Sequence, residues 1–194
     1  MALTRQDIAR SGLKLLNEAG LNGLTLRLIA ADLGVKAPAL YWHLKNKQEL
    51  LDEMATQMYR DSAEDRLPPA GLGEWDAVAH SARALRRMML SYRDGGKVFA
   101  GTYLGDAGSV PPSPLRRSID AGLDGRRAAQ ALFTVYSYVV GFTIEEQAVY
   151  PKPGELDERY RSEEAGDLLA DVDSRFEDGL AMVLSGARRW LGVE

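Results

Sequence analysis

The chain contains no cysteine, so it can form no disulfide, hold no metal through thiolates and use no thiol nucleophile. That absence fits a reducing compartment, and the cytoplasm is the expected location. Histidine is scarce as well, with only His43 and His80 present. Neither stands in a His-x-x-x-His spacing, and there is no Gly-x-Ser-x-Gly elbow and no phosphate loop. Glu145 and Glu146 are neighbours, so on a helix their side chains would point about 100° apart, too far to serve one site as general acid and base. These gaps argue against an enzyme, and no cofactor or resident metal is expected. No apolar run approaches the ~20 residues needed to span a bilayer. Arg5, Asp7 and Arg10 interrupt the first stretch, which therefore does not read as a signal peptide, and no membrane association is expected. Internal repeats, low-complexity tracts and convincing strand patterns are missing too.

What is present is a chain of 194 residues with 45% hydrophobic content, enough to bury a substantial core. Its net charge of −4 hides an asymmetry: residues 1–47 hold seven Lys/Arg against three Asp/Glu, or +4, which leaves −8 on the other 147. A basic head on an acidic body suits a protein that docks on nucleic acid by one end only.

The head is organised around residues 25–47, TLRLIAADLGVKAPALYWHLKNK. Leu28, Ile29 and Leu33 recur at helical spacing and predict a short helix capped by Thr25. Gly34 ends it, with Val35 as the hydrophobic plug after the turn. A second helix is expected over about 37–43, with Pro38 in its first turn and Leu40 as its anchor. Around Leu40 stand Lys36, Tyr41, Trp42, His43, Lys45 and Lys47, a residue mix that reaches phosphates and groove walls. The pattern predicts a helix-turn-helix whose second helix reads duplex DNA. Tyr41, Lys47 and His43 suit phosphate contacts, Thr25 can donate to a phosphate as well as cap, and Trp42 is expected to belong partly to the core.

Gly23-Leu-Thr-Leu-Arg, Leu33-Gly-Val, Pro38-Ala-Leu-Tyr-Trp-His and Lys45-Asn-Lys resemble the DNA-binding domain of the TetR family of transcriptional repressors, nearest its tetracycline repressor class. The likeness is dense over residues 3–58 and weaker at Tyr92-Arg-Asp-Gly-Gly-Lys-Val and Gly141-Phe-Thr-Ile-Glu-Glu-Gln. It implies that Arg27 contacts a guanine and that the protein binds an inverted repeat as a homodimer. Where the class carries glutamine and threonine around the helix proline, this chain has Ala37 and Ala39, which can touch thymine methyls but cannot hydrogen-bond a base edge, so its operator should differ. The resemblance also places the class's metal-holding histidine at Phe99, its amide donor at Ser81, an arginine at Tyr103 and a further histidine at Ala63, keeping an acid only at Glu145. A magnesium–tetracycline chelate needs oxygen and imidazole ligands that these residues lack. A hydrophobic, aromatic effector is therefore expected, lined by Ser81, Leu85, Phe99, Thr102, Tyr103, Leu132, Phe133, Tyr136 and Glu145.

The rest of the chain reads as helices in an all-α fold. A first helix is capped by Thr4 with Asp7, carries Ile8, Leu15, Leu16 and Ala19 inward and stops at Gly20. Asn46 caps a long helix that ends near residue 65 and is expected to be the only rigid link from the head. A break at 66–73 precedes a helix bearing Trp75, Val78, Ala82, Leu85, Met89 and Tyr92. The glycine- and proline-rich stretch 98–114 reads as a pocket-edge loop with one helical turn. Short helical material at 115–123 leads to an apolar helix at about 126–150, and Pro151 opens an acidic connection to a last helix near 174–191. In that helix Gly179 and Gly186 are expected to admit another backbone. The helix at about 126–150 carries apolar residues on more than one face and so needs a second partner, and the two late helices can pair with their copies in a second subunit. The domains expected are a head at 1–47, a connecting helix at 48–65 and an effector-binding and dimerisation domain at 66–194. The functional reading is a ligand-released repressor, in which the effector swings the Asn46 helix and misaligns the heads. An activator or a ligand-blind regulator of the same build stays open as the alternative.

Overall fold

The computed structural model describes residues 3–105, 113–151, 155–160 and 171–193. Parts of two expected segments, the loop at 106–112 and the acidic connection at 152–154 and 161–170, lie outside the described residues. Among the described residues the elements are helices: α1 Arg5–Gly23, α2 Leu26–Asp32, α3 Ala37–Leu40, α4 Lys47–Asp61, α5 Ala63–Arg66, α6 Glu74–Leu90, α7 Gly95–Phe99, α8 Arg116–Asp120, α9 Gly125–Val149 and α10 Val172–Leu191. A 3₁₀ turn spans Glu158–Tyr160. The chain forms two compact units, one of Met1–Ala63 with Met88–Val110 and the other of Glu64–Arg87 with Pro111–Glu194. The head expected at 1–47 thus shares its unit with most of the connecting helix and with the segment after α6.

In the first unit, α1 begins with the expected reciprocal cap: Thr4 Oγ1 accepts from the Asp7 N–H at 3.1 Å, and the Asp7 carboxylate accepts from the Thr4 N–H at 3.0 Å. Gly20 breaks the helix at φ +69°, a conformation that costs glycine little. Ile8, Leu16, Leu24, Ile29, Leu40, Leu44, Leu50 and Met54 are fully buried and make the core of the head. Burying each such side chain contributes roughly 1.5–3 kcal/mol. Polar ties reinforce the packing. The Asp32 carboxylate accepts from Lys14 Nζ and Ser11 Oγ, both at 2.6 Å, and these two donors hold it below the ordinary carboxylate range. Arg5 bridges to Glu53 at 2.7 Å and so fastens the start of α1 to α4.

Asn46 caps α4 by accepting from the Glu49 N–H at 2.9 Å. The helix stops at Asp61, and the residues up to Arg66 form the separate α5, so the single helix expected to run to residue 65 is two. Nor is α4 alone in holding the head. Asp94, at φ +56°, accepts from the Leu21 N–H at 2.9 Å, and Asn17 Oδ1 accepts from the Arg93 N–H at 2.9 Å. Arg93 Nη1 donates to the Glu18 carbonyl at 3.1 Å, while the N–H groups of Tyr103 and Gly105 donate to Asp52 and Thr56 at 3.1 and 3.2 Å.

The second unit is built where α9 and α10 pack together and α6 joins them. Phe176 is its fully buried centre, with Tyr138 and Phe142 at ring-centroid distances of 5.7 and 5.3 Å. Arg86 is buried beside them, its guanidinium carbon 4.6 Å from the Phe176 ring centroid. It donates to both oxygens of Glu146 at 2.7 and 2.8 Å and reaches Asp173 at 2.7 Å. Burial opposes the charge on Arg86, but the two carboxylates outweigh it and raise its pKa. Arg83 makes a second bidentate pair, with Glu177. Gly179 was expected to admit another backbone. What approaches it is the Tyr138 side chain, whose hydroxyl donates to the Phe176 carbonyl at 2.9 Å. At Gly186 a Cβ would meet nothing within 4 Å.

Candidate nucleic-acid interface

Thr25 caps α2 through Oγ1, which accepts from the Leu28 N–H at 3.2 Å. At the other end of α2, Gly34 takes φ +66°, and two bonds close the helix: Gly34 N–H to the Ala31 carbonyl at 3.2 Å and Val35 N–H to the Ala30 carbonyl at 2.9 Å. This paired closure fixes the turn into α3. The regular helix is shorter than expected, covering Ala37–Leu40, and residues 41–43 form a tightened turn in which the Leu40 carbonyl accepts from both His43 and Leu44 N–H at 2.9 Å. Leu44, which the sequence reading missed, is fully buried and draws the chain back inward after the exposed aromatic pair.

Two side chains sit differently from expectation. Trp42, expected to belong partly to the core, is 90% exposed, so its ring adds little to the packing of the head. Leu28 was placed on the buried stripe of α2 but is 37% exposed, because Ile29 and Ala30 occupy the inward face. Arg27, Lys36, Pro38, Tyr41 and Lys47 are exposed, with Ala37, Ala39 and His43 half-buried. Lys47 Nζ lies 3.4 Å from the Leu21 carbonyl, a long contact that leaves the ammonium available. Residues 25–47 carry Arg27, Lys36, Lys45 and Lys47 against Asp32 alone, and Asp32 is already paired with Lys14. The surface is cationic, aromatic and apolar, which suits phosphate contact beside groove contact.

The family model for the TetR family of bacterial regulatory proteins matches residues 8–54, and the model for the tetracyclin repressor-like C-terminal domain matches residues 67–191. The chain belongs to the TetR family. Tetracycline repressor protein class A from transposon 1721 of Escherichia coli is 37% identical over 203 residues, covering 98% of this chain and 94% of that protein. A variant of TetR from Acinetobacter baumannii AYE, in complex with minocycline, superposes with a TM-score of 0.77 at 31% identity, over 98% of this chain and 99% of that one. The structure of BioQ with its double-stranded DNA operator superposes with a TM-score of 0.70 at 26% identity, over 96% and 98% of the two chains. This TetR-family protein is therefore a transcriptional regulator with a helix-turn-helix head and a ligand-binding C-terminal domain.

The side chains expected to line an effector site are divided between the two units. In the first, Phe99 is buried and stacks on Tyr59 at a centroid distance of 6.5 Å, Thr102 Oγ1 donates to the Phe99 carbonyl at 2.8 Å, and Tyr103 is exposed. In the second, Ser81, Leu85, Leu132 and Tyr136 are half-buried, and burial pushes the Tyr136 phenol up. Glu145 is exposed, whereas its neighbour Glu146 is the carboxylate held by Arg86. The signal for Arg86 was present in α6, since it falls four residues after Ala82 and three before Met89, on the buried stripe.

Phe133 is 67% exposed and stands on the wall of an open apolar groove of about 910 Å³ between α9 and α10. Ala131, Val183, Gly186, Ala187 and Trp190 complete most of that wall. Arg127 packs 4.7 Å over the Trp190 ring and donates to the Trp190 carbonyl, fixing the end of α10 against the start of α9. Among the described residues no helix is long and apolar enough to cross a membrane.

Proposed function

We propose that this TetR-family regulator is a repressor that binds an inverted-repeat operator as a homodimer and is released by a hydrophobic, aromatic small molecule. The observation that carries the reading is the exposed face of residues 25–47, where cationic and aromatic side chains surround a turn fixed by two caps and a buried core. In this reading Arg27 contacts a base, while Thr25, Lys36, Tyr41, Trp42, His43 and Lys47 hold the phosphates and Ala37, Pro38 and Ala39 lie in the groove. The protein acts in the cytoplasm, where the DNA is.

A second copy is the occupant proposed for the α9–α10 groove. Phe133, Met182 and Trp190 are large apolar side chains at 67%, 71% and 50% exposure. Phe133 and Trp190 stand on the wall of that groove, and exposed apolar surface of this kind marks an interaction surface. Two copies related by a two-fold axis would present their heads to successive major grooves, so the operator takes the same symmetry.

The effector proposed is not magnesium–tetracycline. Phe99 offers no ligating atom, and its ring is already packed on Tyr59, so the residues present do not fit the chelate. Leu85, Leu132 and Tyr136 supply apolar and aromatic surface on α6 and α9 instead. Operator and effector should antagonise each other by equal factors, because the coupling free energy is reciprocal.

The test is selection of duplexes from a random pool by the full-length protein, followed by sedimentation and a release screen with aromatic small molecules. Recovery of an inverted repeat, a dimer at micromolar concentration and release by an aromatic compound are expected. A Trp190→Asp variant should sediment as a monomer and lose the palindromic site while keeping its helical spectrum. A wild-type monomer, or no duplex preferred over bulk DNA at physiological salt, would overturn the reading.

A further inference from the structure

The geometry points to a readout in which α3 recognises its operator through thymine methyl groups and makes no side-chain hydrogen bond to a base. This inference rests on the DNA-binding reading above and names the class of base pair that face selects. From Ala37 to Leu40 the helix is Ala-Pro-Ala-Leu, and Leu40 is fully buried. What remains to meet a groove floor is Ala37, Pro38 and Ala39, none of which carries a side-chain donor or acceptor. In the major groove the one apolar mark among the four base pairs is the C5-methyl of thymine, and alanine is among the side chains that contact it. Leu28 extends this apolar character to α2. At 37% exposure it keeps apolar surface open beside Arg27, and a leucine has no donor or acceptor with which to pair a base edge. The polar groups nearest α3 are Lys36 before it and Tyr41, Trp42 and His43 after it, at positions suited to the backbone of DNA. A face built this way discriminates thymine from cytosine by a methyl group, and leaves hydrogen-bonded discrimination to Arg27. The preferred half-site therefore holds a guanine for Arg27 and thymines opposite Ala37 and Ala39.

The experiment uses the full-length protein with the duplex it selects from a random pool, and with synthetic versions of that duplex at one salt concentration. Replacing a half-site thymine by deoxyuridine removes only the methyl group. The affinity should fall about fourfold per methyl and about sixteenfold when both half-sites are changed, the factors that correspond to burying one and two such groups. The salt dependence should stay as it was, because the phosphate contacts are untouched. A C·G pair at the same position should bind more weakly, and a 5-methylcytosine·G pair should recover part of that loss. Ala39→Gln and Ala37→Gln should each shift the preferred base at one of the deoxyuridine-sensitive positions. If deoxyuridine at every half-site thymine leaves the affinity within twofold while the operator is still preferred over bulk DNA, methyl readout is wrong and the DNA-binding reading survives. Sensitive thymines that ignore both glutamine variants would overturn the assignment to Ala37 and Ala39. Failure to prefer any duplex would overturn this inference together with the reading beneath it.

Discussion

Gly179→Ala should destabilise the protein, although alanine is the better helix former and Gly179 lies inside α10. A Cβ at that position would sit 2.2 Å from the Tyr138 hydroxyl oxygen and 2.7 and 2.9 Å from two ring carbons. Reaching an ordinary 3.4 Å contact from 2.2 Å requires the hydroxyl to retreat by about 1.2 Å. It cannot do so cheaply, since it donates to the Phe176 carbonyl at 2.9 Å and its ring is stacked on Phe176 in the centre of the unit. Overpacking of this kind costs about 1–3 kcal/mol, and loss of the hydrogen bond about 1 kcal/mol more. The gain in helix propensity offsets about 1 kcal/mol, which leaves a net loss of about 1–3 kcal/mol. Gly141→Ala in α9 provides the control, because a Cβ there meets nothing within 4 Å. It should stabilise by up to about 1 kcal/mol through the propensity term alone. Urea unfolding of both variants at one protein concentration measures the pair. In a Tyr138→Phe background the cost of Gly179→Ala should shrink, since one of the clashing atoms and the hydrogen bond are both gone. Equal stability of Gly179→Ala and Gly141→Ala would refute the seating of Tyr138 against α10.

Glu146→Ala should cost about 3–5 kcal/mol, because it leaves the buried Arg86 charge with only the largely exposed Asp173; an Arg86→Met, Glu146→Gln double variant should lose much less in the same unfolding assay. Asp94→Asn should destabilise at neutral pH and not in acid. Burial alone raises the Asp94 pKa, but the Leu21 N–H, Lys97 and Arg93 outweigh it and hold the carboxyl below its ordinary value of 3.8. A depressed folded pKa contributes stability above the ordinary value and loses it as pH falls through the folded one, so the gap between wild type and variant should close in strong acid. A gap that persisted there would show that the carboxylate charge is not what ties Asp94 to Leu21. Arg27→Ala should weaken binding to the selected operator by about 1–3 kcal/mol more than binding to random DNA; equal loss on both would make Arg27 a phosphate contact.

Much of the head was legible because its signals are local. The Thr4–Asp7 box, the stop at Gly20, the Thr25 and Asn46 caps and the left-handed Gly34 each depend on residues within one turn of one another. Side-chain burial was less legible, because it depends on neighbours far away in the chain. Leu28 has the right type for the core but the wrong rotation, since Ile29 and Ala30 take the inward face. Trp42 has the bulk of a core residue, but Leu40 and Leu44 on either side of it fill the space beneath. The acid at the buried pair fell one residue from the position the family resemblance singled out: Glu146, at about 100° around α9 from Glu145, is the one that meets Arg86. No spacing rule within α9 distinguishes the two, because the choice is made by the arginine on α6.

Distance along the chain is also why the sequence points to α4 as the sole link to the head. Its cap and apolar stripe are sequence-local, whereas the bonds from 93–105 span up to 76 residues of chain. Those bonds reach both ends of the framework that positions the reader. Asp94, Arg93 and their partners fasten the junction between α1 and α2, immediately before Thr25. Tyr103 and Gly105 fasten the middle of α4 through Asp52 and Thr56. Because Asp94 is held at φ +56° and a Cβ on the following Gly95 would lie 2.1 Å from the Met89 carbonyl oxygen, the turn has little freedom to absorb a displacement internally. A shift of α7 would therefore be passed to the α1–α2 junction directly, and to α4 through Asp52 and Thr56. The elements on either side of the helix-turn-helix are thus tied to the 93–105 segment, α1 through Asp94 and Arg93 and α4 through Asp52 and Thr56.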